Sequence, residues 1–88
     1  MEKYYERIHE IHKNAPSKHL PFTDVPYVCG DANYARAILN PFFQELNAKS
    51  IPFRTSLFYL TAETGFLIIT WGNNDTYLVP FTTYEEET

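Results

Sequence analysis

Hydrophobic and polar positions along this chain follow two different periods. From Glu2 to Asn14, Tyr4, Tyr5, Ile8, Ile11 and His12 recur at three- and four-residue intervals. Glu2, Lys3, Glu6, Arg7, Glu10 and Lys13 fill the opposite side. This is the period of an amphipathic helix. Glu2 and Glu6 lie near the positive end of its dipole and Lys13 near the negative end. Pro16 stops the helix, because the residue before a proline is pushed out of the α region. Asp31 is placed to cap a second helix over residues 32–39. Asn40-Pro41 then interrupts, with Asn as cap and Pro as the first residue of a further helix over 41–48. Ile38, Leu39, Phe42, Phe43 and Leu46 make the buried stripe of this broken segment.

Beyond residue 53 the pattern changes to runs rich in aromatic and β-branched residues, the types that fit a pleated surface. The runs are 54–61, 66–71 and 76–82. Glu63-Thr64-Gly65 and Gly72-Asn73-Asn74-Asp75 separate them as turn signals. The expected fold is α+β: an N-terminal helix, a Pro-broken helical segment, then a three-stranded antiparallel β-meander with the helices packed mainly on one face. The whole chain reads as one small domain.

The register follows from the turns. Two-residue turns at Thr64-Gly65 and Asn73-Asn74 pair Leu60 with Ile69, and Ile69 with Leu78. Paired residues share a face. Phe58, Leu60, Ala62, Leu67, Ile69, Trp71, Thr76, Leu78 and Pro80 then form the core face. Thr55, Leu57, Tyr59, Thr61, Phe66, Ile68, Thr70, Tyr77, Val79 and Phe81 gather on the second. A three-residue first turn would exchange the first strand's two faces. The uncharged run 66–71 is the expected central strand. Pro80 cannot donate to a ladder, so the third strand is expected at an edge, or Pro80 at its end. The first strand is the other edge unless a segment from 20–29 pairs with it. Residues 17–30, with Pro21 and Pro26, read as a long irregular connection with a short extended piece around 27–29. Phe22, Val25, Tyr27 and Val28 are the residues that would pin it.

Composition narrows the functional classes. A chain of 88 residues buries only about 60–65% of its unfolded surface, so its seven Tyr and seven Phe matter for stability, and a homodimer would add buried area. The net charge of −4 argues against direct nucleic-acid binding, which needs a basic face. The single cysteine, Cys29, excludes an internal disulfide framework and fits a reducing, cytoplasmic setting. No secretory signal or membrane span is evident, and the chain reads as complete.

Candidate chemistry is sparse. His9 and His12 share a helix face, but the i, i+4 spacing of a zinc metallopeptidase is missing, and no metal site is expected. Cys29 precedes a helix start, where a thiol pKa can fall, yet no base is assigned to it, and buried packing is its ordinary role. The three glycines are isolated and make no phosphate loop. No catalytic residue and no cofactor are expected. The tyrosines are the unusual feature, since Tyr and Trp dominate binding hot spots. The expected function is a small acidic, non-enzymatic protein-interaction module. It would be a stoichiometric inhibitor or adaptor of a larger protein, a nucleic-acid-processing one among the candidates, of the kind phages and mobile elements make. Its expected surface is Leu57, Tyr59, Ile68, Tyr77 and Val79, with Glu6 and Glu10 on the first helix. The alternative is a dimeric small-ligand binder with a pocket lined by Tyr and Trp71.

Overall fold

The computed structural model describes residues 2–19 and 26–83, with side chains from Tyr4 onward. Phe22 and Val25, expected to pin the connection, and the acidic tail from Tyr84 lie outside the described residues.

Helix α1 spans Glu2–Asn14. Tyr4, Ile8 and His12, one turn apart, are its buried stripe. Asp31 caps α2 (Ala32–Ile38), its side chain accepting the Tyr34 N–H at 2.9 Å. Helix α3 is Asn40–Ala48. Asn40 is not its cap, as its neighbour Pro41 had suggested. Leu39 ends α2 and begins α3, with φ −95° and ψ 1°, and its side chain is fully buried. Burial of that leucine fixes the joint between the helices, and Asn40 is left exposed within α3. A tight cap closes α3: Ile51 N–H donates to Leu46 C=O at 2.9 Å and Ser50 N–H to Asn47 C=O at 3.0 Å, with Ser50 at φ 57°. This is a Schellman arrangement with a serine in the left-handed position.

The sheet corrects the expected three-stranded meander. It has five strands, β1 (Ser17–His19), β2 (Pro26–Cys29), β3 (Phe53–Tyr59), β4 (Thr64–Trp71) and β5 (Asp75–Thr82), in the order β1-β2-β5-β4-β3. It is mixed, because β2 runs parallel to β5 while the other pairs are antiparallel. The segment read as an irregular connection therefore supplies two strands. Of these, β2 pairs with the third meander strand and β1 pairs only with β2, and neither pairs with the first. Strand β5 becomes interior despite Pro80, and β3 is the outer strand, with no strand of the described residues on its far side. Hydrogen-bonding alternation explains how Pro80 is tolerated. Gly72 N–H reaches Pro52 C=O and Leu60 N–H reaches Thr64 C=O, so even-numbered residues of β3 and β4 bond each other. The odd residues of β4 then bond β5, whose residue 80 faces β2. The β2 ladder starts one residue later, at Val28 opposite Phe81, so no bond is lost.

Both hairpins are shifted from the expected register. Thr55 lies opposite Ile69, where Leu60 was expected, and so does Tyr77, where Leu78 was expected. The first turn is built on Thr61, not on Gly65. Thr61 Oγ1 accepts the Glu63 and Thr64 N–H groups at 3.1 Å each. Gly65 sits inside β4 because a Cβ there would meet the Phe58 carbonyl oxygen at 2.4 Å. The second loop is Gly72-Asn73-Asn74, with Gly72 at φ 60° and Asn74 at φ 73°. Both shifts are odd, so both outer strands turn over relative to β4.

The core is consequently built from Leu67, Ile69 and Trp71 of β4 with Val79 and Phe81 of β5 and Val28 of β2. Tyr4 and Ile8 of α1, Ala32 and Ala35 of α2, and Leu39, Phe42 and Leu46 pack on them. The three helices thus cover one face of the sheet. Among the described residues no helix is long and apolar enough to cross a membrane.

Candidate functional site

Two regions of the described residues are candidate sites: the sheet face that the helices leave uncovered and the cleft beside α1.

Strand alternation places Arg54, Ser56 and Phe58 of β3, Phe66, Ile68 and Thr70 of β4, and Thr76, Leu78 and Pro80 of β5 on the side away from the helices. The cross-strand registers sort them into rows. Phe58, Phe66 and Pro80 lie side by side, then Ser56, Ile68 and Leu78, then Arg54, Thr70 and Thr76. The face therefore grades from aromatic through aliphatic to polar. Pro80 is buried, Phe66 and Ile68 are half-buried, and Phe58 and Leu78 are 53% and 50% exposed. Leu60, just past the end of β3, is 61% exposed. Exposed apolar groups scattered singly are ordinary, but contiguous rows of them are characteristic of contact surfaces.

The surface expected from the sequence is divided by the register. Only Ile68 lies on the helix-free face. Val79 is fully buried beneath the helices, and Leu57 is half-buried on the same side. Tyr77 is committed to α1. Its hydroxyl lies 2.7 Å from His9 Nδ1, and Tyr5 stands 6.2 Å away between it and Trp71. Burial raises the Tyr77 pKa above its usual value. Tyr5, whose pKa is raised by burial and by Asp75, donates its hydroxyl to Asp75 Oδ1 at 3.4 Å. Tyr59 belongs to the helix side by alternation but is 53% exposed, edge-on to Phe81 at 5.8 Å. Glu6 and Glu10 are exposed on α1, and Glu10 meets Arg7 at 3.2 Å. Arg7 also approaches Glu45 of α3 at 3.5 Å. Such exposed pairs are worth well under ~1 kcal/mol. Phe58 and Leu78, which the expected register put in the core, are the contact residues missed. The parity of Phe58 relative to Thr61, and of Leu78 relative to the Gly72-Asn73-Asn74 loop, is the signal that places them.

The second region is a cleft of about 430 Å³ between α1 and the β1-β2 hairpin, lined by His9, His12, Lys13, Ser17, His19 and Pro26. His12 is 3% exposed, and its Nε2 is buried without a hydrogen-bond partner. Burial, and secondarily the neighbouring His9, lowers its pKa. Among the described residues no three His, Cys, Asp or Glu side chains group so as to hold a metal ion. Cys29 is half-buried on β2. Trp71 is buried, against Tyr5 at 5.2 Å and Phe42 at 5.4 Å, and its Nε1 also lacks a partner.

Compared with known protein families, with curated proteins and with solved structures, the chain matches none.

Proposed function

We propose that this protein is a small non-enzymatic interaction module of the cytoplasm, an inhibitor or adaptor that docks one-to-one on a larger protein. The observation that carries the proposal is the helix-free face, where half-exposed Phe58 and Leu78 flank Phe66 and Ile68 in adjoining rows. Among the described strand residues, the charged ones that alternation places on this side are Arg54 and Lys18, at its margins. The acidic groups Glu6, Glu10, Asp31 and Glu63 are exposed elsewhere. Apolar contact would then supply affinity, while the net charge of −4 steers the molecule toward a basic partner, such as a nucleic-acid-processing enzyme.

Position-specific photocrosslinking tests this. A photoreactive residue at position 78 is expected to give one discrete one-to-one adduct, and the same probe at exposed Arg36 on α2 none. Leu78→Asp should weaken the captured complex by about 2 kcal/mol, near thirtyfold, while the thermal midpoint is kept. Wild-type affinity in Leu78→Asp, or equal crosslinking from position 36, would remove the helix-free face as the docking surface.

A second reading rests on His12. An unpartnered imidazole beside a cleft that also presents Lys13 and Ser17 suits a small anionic ligand. Chemical-shift changes confined to His9, His12 and Lys13 on titration with inorganic phosphate or a short carboxylate would favour it. Unchanged spectra would leave the docking module alone.

A further inference from the structure

We propose that the outer edge of β3 pairs with β3 of a second copy, joining two molecules into one continuous ten-stranded sheet. The inference holds whether or not the helix-free face carries another partner.

It starts from which backbone groups are already used. Gly72 N–H bonds Pro52 C=O, and Leu60 N–H bonds Thr64 C=O. Antiparallel bonding alternates, so residues 54, 56 and 58 direct their N–H and C=O groups to β4. The N–H and C=O groups of Phe53, Thr55, Leu57 and Tyr59 are directed away from β4, to an edge that no strand of the described residues covers. Edges of this kind are normally blunted by proline, a bulge, inward charge or very short length. Strand β3 runs seven residues without proline, and its seven consecutive registered pairs with β4 leave no bulge. The opposite edge, β1, has only three residues.

The strand is complementary to itself. An antiparallel two-fold placed at Ser56 overlaps all seven residues. It sets Phe53 opposite Tyr59 of the second copy and Thr55 opposite Leu57, as hydrogen-bonded pairs formed by the outward-directed groups. Arg54 falls opposite Phe58, and Ser56 opposite itself, as the non-hydrogen-bonded pairs whose side chains approach most closely. No like charges meet. The one charged side chain of the strand lies against an aromatic ring, a favourable cation–π arrangement. Phe58 and Tyr59, each 53% exposed in the single molecule, gain cover at the two ends of the seam. The axis stands perpendicular to the sheet. Both sets of helices therefore lie on one side, and the two helix-free faces merge into one surface. The interface is isologous and closes at two copies.

Ser56 is exposed and on the axis, which makes the test specific to this register. Sedimentation equilibrium of the wild type is expected to show a dimer. Ser56→Lys and Ser56→Glu each place like charges face to face, and each should raise the dimer Kd by roughly tenfold or more. Far-UV circular dichroism and the thermal midpoint of the monomer should be unchanged. Mixing the two variants should restore a dimer, because lysine then faces glutamate. An isotope-filtered NOE between the Ser56 α-protons of labelled and unlabelled wild-type copies is also expected. A wild type that stays monomeric at high micromolar concentration overturns the proposal. So does a dimer that neither variant weakens, or one that lacks the Ser56 contact.

Discussion

Ser50 shows how much a single residue conformation can be worth. It occupies φ 57° after α3, where a Cβ is crowded and glycine is the usual occupant. The two hydrogen bonds that close the helix there, from Ser50 and Ile51, depend on that conformation. Ser50→Gly removes the crowding and keeps both bonds, at the expense of a more flexible unfolded chain. The net expectation is a gain of about 0.5–1 kcal/mol, read as a higher urea midpoint at unchanged slope. A lower midpoint would mean that the serine side chain contributes more than its strain costs. Thr61 is the other decisive residue. Its hydroxyl accepts two backbone N–H groups and lies 2.8 Å from Thr64 Oγ1, which sets the length of the first hairpin loop. Threonine makes this kind of turn by a side-chain bond, a weaker signal in sequence than glycine. Gly65 drew the turn toward itself, although its real task is to allow close approach of the Phe58 carbonyl.

At the scale of elements, the misplaced first turn inverts β3, and a separate one-residue shift at the second loop inverts β5. The helices were legible because each has a period and a local stop: Pro16 after α1, Asp31 before α2, Pro41 inside the start of α3. The strands of the hairpins were legible from β-branched and aromatic content. Their faces were not, because the side-chain period is two and a shift by an odd number inverts a whole strand. Strands β1 and β2 were hidden for a different reason. They are three and four residues long, and what ties them to the sheet is the pairing of β2 with β5, far away in sequence. The register is testable on neighbouring isoleucines of β4. Ile69 is fully buried under the helices, and Ile68 faces the other way, half-buried. Ile69→Ala should cost about 2–5 kcal/mol. Ile68→Ala should cost less than half of that in urea unfolding. Equal losses would mean that both faces are core, and the helix-free face would then be no docking surface.

For the molecule as a whole, α1 is the strap that ties the separate parts together. Tyr4 packs on Phe42 of α3 at 6.0 Å, Tyr5 on Trp71 of β4, and His9 on Tyr77 of β5. His12 completes the strap beside the β1-β2 hairpin, in the cleft with Ser17, His19 and Pro26. Its imidazole is buried, so detaching it means detaching the helix, and its protonation is linked to global unfolding. Burial lowers its pKa, with His9 adding a smaller push in the same direction. The sign follows. Above the unfolded value of about 6.5 the ring is neutral in both states and the contribution is complete. As the pH falls below that value, the unfolded chain takes up a proton that the folded chain refuses. Stability then falls by up to about 1.4 kcal/mol per pH unit until the folded pKa is reached. Carboxylates titrate lower, so urea midpoints between about pH 7 and pH 5 isolate the histidine range. The wild type is expected to lose stability across that range. His12→Phe fills the same buried position without a titrating group or an unpartnered nitrogen, and its midpoint should be markedly flatter. If wild type and variant decline in parallel, the acid sensitivity arises at another group, and His12 is not refusing a proton in the fold.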